Sequence, residues 1–336
     1  MITQTSATDN TDHTNPVRLV TLDAIRDAAE RIAGIARVTP LVDASHAALR
    51  PFFLKCENLQ PSGAFKIRGA FNMVAQLSPA QRAAGVITYS SGNHGQAMAL
   101  AARTLGAPAV VVMPTTAPQI KIDGAKALGA EVIFAGTTSS DRRARAEAEA
   151  AARGLTMVPP FDHEWIIAGQ GTAGLEILRH QPNVAAVLVP IGGGGLIAGV
   201  AAAIKLSNPN VLIIGVEPRG AAAMKQSVDA GHPITLAKTE TIADGLMPVR
   251  PGDLTFAHVQ KFVDRVITVE DADIAKAVLW IFANAKLVAE PSGAATTAAV
   301  LSGALDAAIK ITGPIVAIVS GGNMSPGRIA ELSAQS

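Results

Sequence analysis

The chain is organised around one short stretch, Ser62-Gly63-Ala64-Phe65-Lys66-Ile67-Arg68-Gly69-Ala70-Phe71. Within it, the basic side chain of Lys66 lies between two apolar ones, Phe65 and Ile67. An ammonium group is costly to hold among apolar neighbours, which lowers its pKa and makes the neutral amine accessible. A neutral lysine amine is a nucleophile that forms Schiff bases with carbonyl compounds. A surface lysine lying over an apolar patch would have the same neighbours, so the choice depends on motifs elsewhere in the chain.

The composition limits the classes of protein to which the chain can belong. Its 336 residues are 49% hydrophobic and 16% charged, which suits a large α/β unit or two subdomains. The net charge of +1 and the lack of a basic run argue against a nucleic-acid partner. A single cysteine, Cys56, excludes an internal disulfide and indicates a reducing compartment. We therefore expect a cytoplasmic protein.

Neither the N-terminal segment nor the longest uncharged run carries a targeting or membrane signal. Residues 1–16 are polar and lack a signal-peptide pattern, and we expect them to be disordered. The run between Arg179 and Lys205 is long enough for a membrane span, but Pro182, Pro190 and four glycines interrupt it. A buried strand followed by a helix is the better interpretation, so we expect no membrane contact.

The hydrophobic pattern alternates between strand and helix along most of the chain. Strands are predicted at 52–56, 86–90, 110–113, 131–134, 184–189, 211–216, 262–269 and 315–319. Helices are predicted at 22–37 (with Thr21 as N-cap), 66–76, 96–105, 119–128, 141–153, 171–179, 196–205, 271–286 and 293–305. The apolar strand at 184–189 indicates burial on both faces of a parallel sheet. The alternation as a whole predicts an open, doubly wound α/β sheet.

Two glycine-rich turns follow predicted strands and precede predicted helices. They are Ser90-Ser91-Gly92-Asn93-His94-Gly95 and Gly192-Gly193-Gly194-Gly195. Such turns present backbone N–H groups to an anion, with the helix dipole behind them. Glycines also let the backbone approach a phosphate without a Cβ clash. Plain strand-to-helix turns have the same appearance, and a lone histidine such as His94 is more often a turn residue than a catalyst.

The second turn also supports a competing hypothesis. Gly193, Gly195 and Ala198 satisfy the dinucleotide pattern G-x-G-x-x-A, and Glu217 closes the next strand, where a ribose-binding acid belongs. These residues by themselves predict an NAD-binding oxidoreductase. That hypothesis leaves Lys66 and the turn at 90–95 without a role.

A third turn, Ser320-Gly321-Gly322-Asn323, ends the predicted strand at 315–319. Its serine would place a hydroxyl at the carboxyl edge of the sheet, where ligands of α/β proteins bind. The turn Thr241-Ile242-Ala243-Asp244-Gly245 and the pair Glu290-Pro291 are weaker signals of the same kind. Each of them alone is more often an ordinary turn.

Taken together, the motifs resemble those of one family. Residues 62–70, 90–95, Ala168-Gly169-Gln170-Gly171-Thr172, the tetraglycine, 241–245 and 320–323 occur in the order found in pyridoxal-phosphate enzymes of the tryptophan-synthase-β fold type. The most similar branch is that of the threonine/serine ammonia-lyases and serine racemases, and the resemblance runs from about residue 22 to residue 323. It implies pyridoxal phosphate as cofactor and a homodimer or higher homo-oligomer. It also implies fold type II: a large domain (1–81 and 162–336) with an open doubly wound sheet, and a smaller inserted α/β domain (82–161).

The resemblance further implies roles for individual residues. Lys66 would form the Schiff base with the cofactor and serve as catalytic base, and Ser91 would be the catalytic residue on the opposite face of the substrate. Phe65 and Asn93 would contact the pyridine ring or its 3′-oxygen. The remaining cofactor contacts would be the phosphate-holding Gly192, Gly193, Gly194 and Gly195 and, at the ring nitrogen, Ser320. The substrate would be bound by Ser90, Ser91, Gly92, Asn93, His94 and Arg142.

Many family members also bind a divalent cation through a glutamate, a backbone carbonyl four residues on and a carboxylate six residues on. Glu217 and Ala221 match the first two ligands, but Ala223 replaces the carboxylate. Because Mg²⁺ or Ca²⁺ needs several oxygen ligands, this replacement puts cation binding in doubt.

The reaction implied is the dehydration and deamination of a β-hydroxy-α-amino acid to a 2-oxo acid and ammonia. L-threonine, L-serine and 3-hydroxyaspartate are all possible substrates. Racemisation of an amino acid through Ser91 is the alternative within the family, and a non-catalytic amino-acid-binding protein is the alternative outside enzymes. The chain ends soon after the last motif, so we expect no C-terminal effector domain of the kind that biosynthetic threonine deaminases carry.

Overall fold

The computed structural model describes residues 18–90, 92–117 and 119–334. The segment at 1–16, for which disorder is expected, lies outside these residues. Ten strands lie within them: β1 (Leu41–Asp43), β2 (Phe52–Cys56), β3 (Val86–Thr88), β4 (Ala109–Met113), β5 (Glu131–Phe134), β6 (Thr156–Met157), β7 (Ala186–Pro190), β8 (Leu212–Pro218), β9 (Arg265–Val269) and β10 (Ile315–Val319).

The same residues form fifteen α-helices, besides short 3₁₀ turns. They are α1 (Leu22–Arg31), α2 (Ser45–Ala48), α3 (Lys66–Ala75), α4 (Pro79–Ala84), α5 (Asn93–Thr104), α6 (Gln119–Ala127), α7 (Ser139–Arg153), α8 (Glu164–His180), α9 (Gly195–Ser207), α10 (Ala223–Ala230), α11 (Asp253–Phe262), α12 (Asp271–Trp280), α13 (Pro291–Leu301), α14 (Ala304–Ala308) and α15 (Pro326–Ala334). A π-helical turn, Ile281–Ala285, continues α12.

The larger sheet has the strand order β1-β2-β10-β7-β8-β9, with every pair parallel except β1–β2. Its central strands are apolar on both faces, because successive side chains of a strand point in opposite directions. Val187 and Val189 of β7 enter the hydrophobic core on one face, whereas Ala186 and Leu188 enter the core on the other. Both faces are therefore covered by helices, as the uncharged strand pattern predicts.

The second sheet has the order β5-β4-β3-β6 and is parallel throughout. One of its cores combines Val111 of β4 with Ile67 and Val74 of α3. Helix α3 packs against α5 on this side and also against α8, whose Ile177 belongs to the core of the larger sheet. Helix α3, which begins with Lys66, therefore packs against helices that belong to both sheets. All four strands lie within 82–161, and the domain boundaries themselves remain a prediction.

Most predicted elements are confirmed, and β2, β5 and β10 have the predicted bounds. The predicted strand at 262–269 is wrong at its start, because residues up to Phe262 belong to α11 and β9 begins at Arg265. The helix predicted at 22–37 ends at Arg31, and Thr21 does cap it by accepting the Ala24 N–H. The helix predicted at 293–305 is two helices, since Gly303 adopts φ +79° between them.

Several helices were missed. Helix α8 starts at Glu164 rather than at residue 171, and its N-cap is His163, whose ring nitrogen accepts the Trp165 N–H. Histidine is not among the usual N-cap residues, which are Ser, Thr, Asp and Asn. Helices α4, α10, α11 and α15 are short and were not recognised. In the described part of the chain, no helix is both long and apolar enough to cross a membrane.

Candidate active site

Lys66 is the first residue of α3, and the segment before it is held to the end of β10. The Phe65 N–H donates to the Ser320 carbonyl (3.0 Å), and Ala64 forms a β-bridge with Gly321. The Lys66 Nζ donates to the Pro160 carbonyl at 2.6 Å and lies 5.0 Å from the centre of the Phe65 ring. Desolvation lowers the pKa of Lys66 to about 8, which makes the neutral amine accessible near physiological pH.

A chain of amide contacts lies beside this lysine segment. The Asn93 Nδ2 donates to Glu290 Oε1 at 2.6 Å, and the Asn323 Nδ2 donates to Asn93 Oδ1 at 2.9 Å. Asn323 also donates to the Ser62 carbonyl (2.8 Å), four residues before Lys66. The structure therefore brings three of the predicted turns together, those at 62–71, 90–95 and 320–323.

The tetraglycine connects β7 to α9 as predicted, and its backbone requires glycine. Gly194 is the N-cap of α9 with φ +96°, and no side chain caps this helix. A Cβ on Gly193 would lie 2.3 Å from the Phe161 ring, and one on Gly194 would lie 2.8 Å from Thr255 Oγ1. Thr255 holds the turn by donating to the Gly193 carbonyl at 2.7 Å. The uncapped N-terminus leaves backbone N–H groups available for an anion.

Ser320 lies at the carboxyl end of β10 and is 4% exposed. Its hydroxyl donates to the Ser292 carbonyl at 3.4 Å, and the Ser292 hydroxyl accepts the Gly245 N–H at 2.8 Å. Ser320 therefore offers a neutral hydroxyl rather than a carboxylate. These contacts also place the turn at 241–245 and the start of α13 at the same edge of the sheet.

The turn at 90–95 begins α5, as the structure confirms, although α5 starts earlier than predicted. His94 is buried, its Nε2 donates to the Val158 carbonyl at 3.0 Å, and its Nδ1 has no partner in the described residues. Burial and, secondly, the charge of Lys66 lower the pKa of His94 to about 3, so the imidazole is neutral. A Cβ on Gly95 would lie 2.0 Å from the Ser90 carbonyl. Ser91 lies outside the described residues, and its predicted role remains a prediction.

Arg142 lies on the first turns of α7, next to the strand that leads into this turn. Its guanidinium donates to the carbonyls of Tyr89 and Thr137 (both 3.4 Å) and to Ser139 Oγ (2.8 Å). It forms no salt bridge with any described residue, because Glu147 pairs with Arg143 instead. A guanidinium therefore lies beside the turn at 90–95 without a direct carboxylate contact in the described residues, although the charge of the neighbouring Asp141 acts on it.

The residues at the implied cation site do not fit a cation. Both carboxylate oxygens of Glu217 accept backbone N–H groups, from Met224 at 2.9 Å and Lys225 at 2.7 Å, so that Glu217 caps α10. Ala223 is buried, and its side chain offers no oxygen to a cation. No group of three or more His, Cys, Asp and Glu suited to a metal occurs in the residues that the structure describes.

Sequence reasoning missed the buried ion cluster beneath α3. Arg68, two residues after Lys66, donates to both oxygens of Glu57 (2.7 Å each) and to both oxygens of Glu176 (2.7 and 2.8 Å). Lys55 donates to Glu176 at 2.5 Å and to the Thr39 carbonyl at 2.7 Å. The four charges sum to zero, and the cluster fixes α3 to β2 and α8. Its members are dispersed along the sequence, so no local pattern indicates that they meet.

Comparison with known proteins identifies the family. Residues 32–321 match the profile described as "Pyridoxal-phosphate dependent enzyme". An L-threonine ammonia-lyase of Thermotoga maritima is 42% identical over 310 residues, which is 91% of this chain and 76% of that protein. The catabolic L-threonine dehydratase TdcB of Escherichia coli K12 is 39% identical over 317 residues, which is 94% of this chain and 96% of that protein. Maize serine racemase superposes with a TM-score of 0.89 at 39% identity, covering 95% of this chain and 98% of the racemase.

The chain belongs to the pyridoxal-phosphate dependent enzyme family, and its fold is fold type II of that family. The competing interpretation as an NAD-binding oxidoreductase is wrong. The strand-turn-helix-strand unit that it requires exists as β7-α9-β8, but Glu217 is buried and bonded to α10, where it cannot reach a ribose. The residues around Lys66 fit the family's cofactor: the Lys66 amine, whose pKa is lowered, bonds the Pro160 carbonyl, and the next residue, Phe161, lies against the uncapped N-terminus of α9, which could hold a phosphate.

Proposed function

We propose that the chain dehydrates and deaminates a β-hydroxy-α-amino acid, with L-threonine or L-serine as the first candidates. The products are a 2-oxo acid and ammonia. Relatives at about 40% identity bear the names of threonine ammonia-lyases and dehydratases, which supports this reaction. The observation that carries the proposal is the position of Lys66, an amine with a pKa lowered to about 8 at the strand edge that also holds Ser320.

Pyridoxal phosphate supplies an aldehyde for the amino group and a ring that spreads negative charge from the α-carbon. The tetraglycine and the N-terminus of α9 would hold its phosphate. Lys66 would hold the cofactor through its side-chain amine, and the free amine would take the α-proton of the substrate. The Pro160 carbonyl, 2.6 Å from the Lys66 Nζ, holds that amine in place.

Ser320 would be the residue that faces the ring nitrogen of the cofactor. A hydroxyl donates or accepts a hydrogen bond but does not keep a ring nitrogen protonated, as an aspartate would. The negative charge at the α-carbon is therefore stabilised less, which favours prompt loss of the β-hydroxyl over a long-lived carbanion. The hydroxyl leaves with a proton as water, and the released enamine hydrolyses to the 2-oxo acid and ammonia.

The direct test is product formation by the purified chain supplied with pyridoxal phosphate. L-threonine, L-serine and 3-hydroxyaspartate are offered separately, and 2-oxo acid and ammonia are quantified. Equimolar release of both from at least one substrate is expected. The absence of 2-oxo acid from all three would end the proposal.

Amino-acid racemisation is the second candidate, because serine racemase of maize shares the fold over nearly the full length. In this reaction Ser91 would return a proton to the α-carbon from the face opposite Lys66. Chiral analysis of serine after incubation separates the two reactions, because a racemase accumulates the D-enantiomer whereas a lyase consumes the L-enantiomer.

Arg142 supports 3-hydroxyaspartate as a further substrate. Its guanidinium forms no salt bridge with a described residue and lies next to the Tyr89 carbonyl, where it can offer two parallel N–H groups to a distal carboxylate. We predict that Arg142→Ala lowers kcat/KM for 3-hydroxyaspartate by about 10- to 100-fold, equivalent to ~1.5–3 kcal/mol, and changes kcat/KM for serine less than threefold. Arg143→Ala, which removes the neighbouring guanidinium paired with Glu147, is the matched control. Equal effects of Arg142→Ala on both substrates would leave threonine and serine as the preferred assignment.

The assembly and compartment are also proposals. We infer a homodimer in the cytoplasm, from the family resemblance and from the single cysteine, which is buried. The segments that carry three exposed apolar side chains, Val38 (57%), Leu59 (37%) and Val288 (41%), are joined by hydrogen bonds from Asn58 to the Val288 carbonyl and from Arg37 to the Leu59 carbonyl. A mass determined by light scattering tests the dimer, and a monomer at micromolar concentration would contradict it.

A further inference from the structure

We propose that Glu290 and Asn323 act as positioning residues that fix the Asn93 side-chain amide, so that one N–H of Asn93 remains free to bond the cofactor. The inference rests on the proposed contact between Asn93 and pyridoxal phosphate. It concerns Glu290, which the proposed reaction does not otherwise use.

The orientation of the two side-chain amides follows from which of the contacting atoms can donate a hydrogen bond and which can only accept one. The Ser62 carbonyl can only accept, so the side chain of Asn323 must direct its NH₂ group towards Ser62. The same NH₂ group faces Asn93, which must therefore present its oxygen to Asn323. The NH₂ group of Asn93 then points to Glu290, where a carboxyl oxygen accepts one of its two hydrogens at 2.6 Å. One N–H of Asn93 is left over.

The surrounding glycines make room for this arrangement. A Cβ on Gly63 would lie 2.0 Å from Asn323 Oδ1, and one on Gly321 would lie 2.4 Å from Glu290 Oε1. The Glu290 N–H also donates to the Gly321 carbonyl at 3.1 Å, which joins the N-cap of α13 to the end of β10. Two glycines of the motifs therefore serve the Glu290-Asn93-Asn323 chain rather than a turn alone.

Glu290 is 5% exposed, so its carboxyl group has little solvent to stabilise a charge. Burial and then the charge of Asp244 raise the pKa of Glu290 to about 7. The hydrogen bond from Asn93, the charge of Lys121 and the hydrogen bond from the Asn323 N–H lower this pKa by smaller amounts. Asp244 and Lys121 form a salt bridge with each other at 3.0 Å. The carboxyl group of Glu290, which contacts Asn93, therefore changes charge near neutral pH.

This arrangement has two measurable consequences for bound pyridoxal phosphate. A displaced Asn93 amide weakens cofactor binding. A charge that appears on Glu290 as the pH rises alters the electrostatic environment of the cofactor, and therefore its absorbance, with a midpoint at about pH 7.

The test titrates pyridoxal phosphate into apo-protein for the wild type, Glu290→Ala, Glu290→Gln and Asn323→Ala, and records the absorbance of each complex between pH 5.5 and 8.5. Glu290→Ala and Asn323→Ala should bind the cofactor at least about tenfold more weakly, as expected for a lost charge-assisted hydrogen bond. Glu290→Gln keeps a carbonyl oxygen for Asn93, so its affinity should stay within about threefold of wild type, but its absorbance should show no transition near neutral pH. Glu331→Gln, which neutralises an exposed glutamate paired with Arg328, should behave as wild type.

The pattern of results distinguishes positioning from a structural role. If Glu290→Ala does not fold, as judged by circular dichroism of the apo-protein, Glu290→Gln decides the question. A transition near pH 7 that persists in Glu290→Gln overturns the proposal, as does wild-type cofactor affinity in folded Glu290→Ala and Asn323→Ala. None of these measurements requires turnover, so they remain informative if the proposed ammonia-lyase reaction fails its own test.

Discussion

Removal of the Arg68 guanidinium should destabilise the protein strongly, because it leaves a buried carboxylate without its main partner. Arg68 is 0% exposed and donates to both oxygens of Glu57, which is also 0% exposed. In Arg68→Met the cluster keeps Lys55, Glu57 and Glu176, so its net charge changes from zero to −1. The nearest remaining cation to Glu57 is Lys55, whose Nζ is 4.0 Å from Glu57 Oε1.

The cost of breaking a buried ion pair gives the size of the effect, and the pKa of Glu57 shows how far the whole cluster stabilises its charge. Breaking a buried ion pair by removing one partner costs about 3–5 kcal/mol. Burial raises the pKa of Glu57, but Arg68 and then Lys55 bring it down to about 2, against an ordinary value of 4.5. That difference corresponds to about 3 kcal/mol at neutral pH for the ionised Glu57 with all of its partners in place, of which Arg68 is the largest favourable one. Because the folded-state pKa is depressed, this contribution is complete above pH 4.5 and is lost as the pH falls towards 2.

Urea unfolding of the apo-protein at pH 7, followed by both fluorescence and circular dichroism, measures the loss. We predict that Arg68→Met lowers the free energy of unfolding by about 3–5 kcal/mol. Arg68→Met/Glu57→Gln should be more stable than Arg68→Met alone, because the second change returns the cluster to zero net charge. The control Arg26→Met removes an exposed arginine whose partner Asp23 is also exposed, and should cost less than about 1 kcal/mol. A loss below about 1 kcal/mol for Arg68→Met, or a double variant less stable than the single one, would refute the reasoning.

Two further predictions concern the phosphate turn and the cation. Gly194→Ala should weaken pyridoxal phosphate binding to apo-protein at least about tenfold, because it adds a Cβ 2.8 Å from Thr255 Oγ1 at φ +96°. Gly231→Ala has similar strain at φ +78° but open space around it, so it should lower stability by about 1 kcal/mol with unchanged cofactor affinity. Millimolar Mg²⁺ or Ca²⁺ should not change the melting temperature of the wild type, because both oxygens of Glu217 are engaged by α10, and a clear rise would contradict that assignment.

The sequence predicts the elements of the fold well where their periodicity is strong. The apolar runs of β2, β7 and β10 are short and bounded by turn residues, so their strands are recognisable. The predicted strand at 262–269 included the end of α11, because Phe262 and Val263, on either side of the end of the helix, are both apolar and no cap residue separates them. The N-cap at His163 is a local contact with the Trp165 N–H, made by a residue type outside the usual cap pattern. The short α10 depends on Glu217, which lies outside the helix and accepts the N–H groups of Met224 and Lys225.

The turns that form the candidate site could be predicted from the sequence, but the contacts between them could not. Motif order places Lys66, Asn93 and Ser320 at one edge of the sheets, and the structure joins their segments through Asn323 and the Phe65 N–H. The buried charge cluster was missed because Arg68 meets Glu57 at a separation of 11 residues and Glu176 at a separation of 108, and neither spacing belongs to a local pattern. Glu290 was noticed only as part of a Glu-Pro pair, since its burial is a property of the assembled fold.

Covalent mapping of the cofactor tests the central claim, that Lys66 is the residue that carries pyridoxal phosphate. The holo-protein is reduced with borohydride, digested and analysed by mass spectrometry, with Lys66→Ala treated in parallel. We predict a pyridoxyl group on Lys66 in the wild type, and neither a stable label nor turnover in Lys66→Ala. Lys55, bonded to Glu176, and Lys121, paired with Asp244, should remain unmodified. A pyridoxyl group on Lys55 or Lys121 in place of Lys66, or full turnover by Lys66→Ala, would contradict the account.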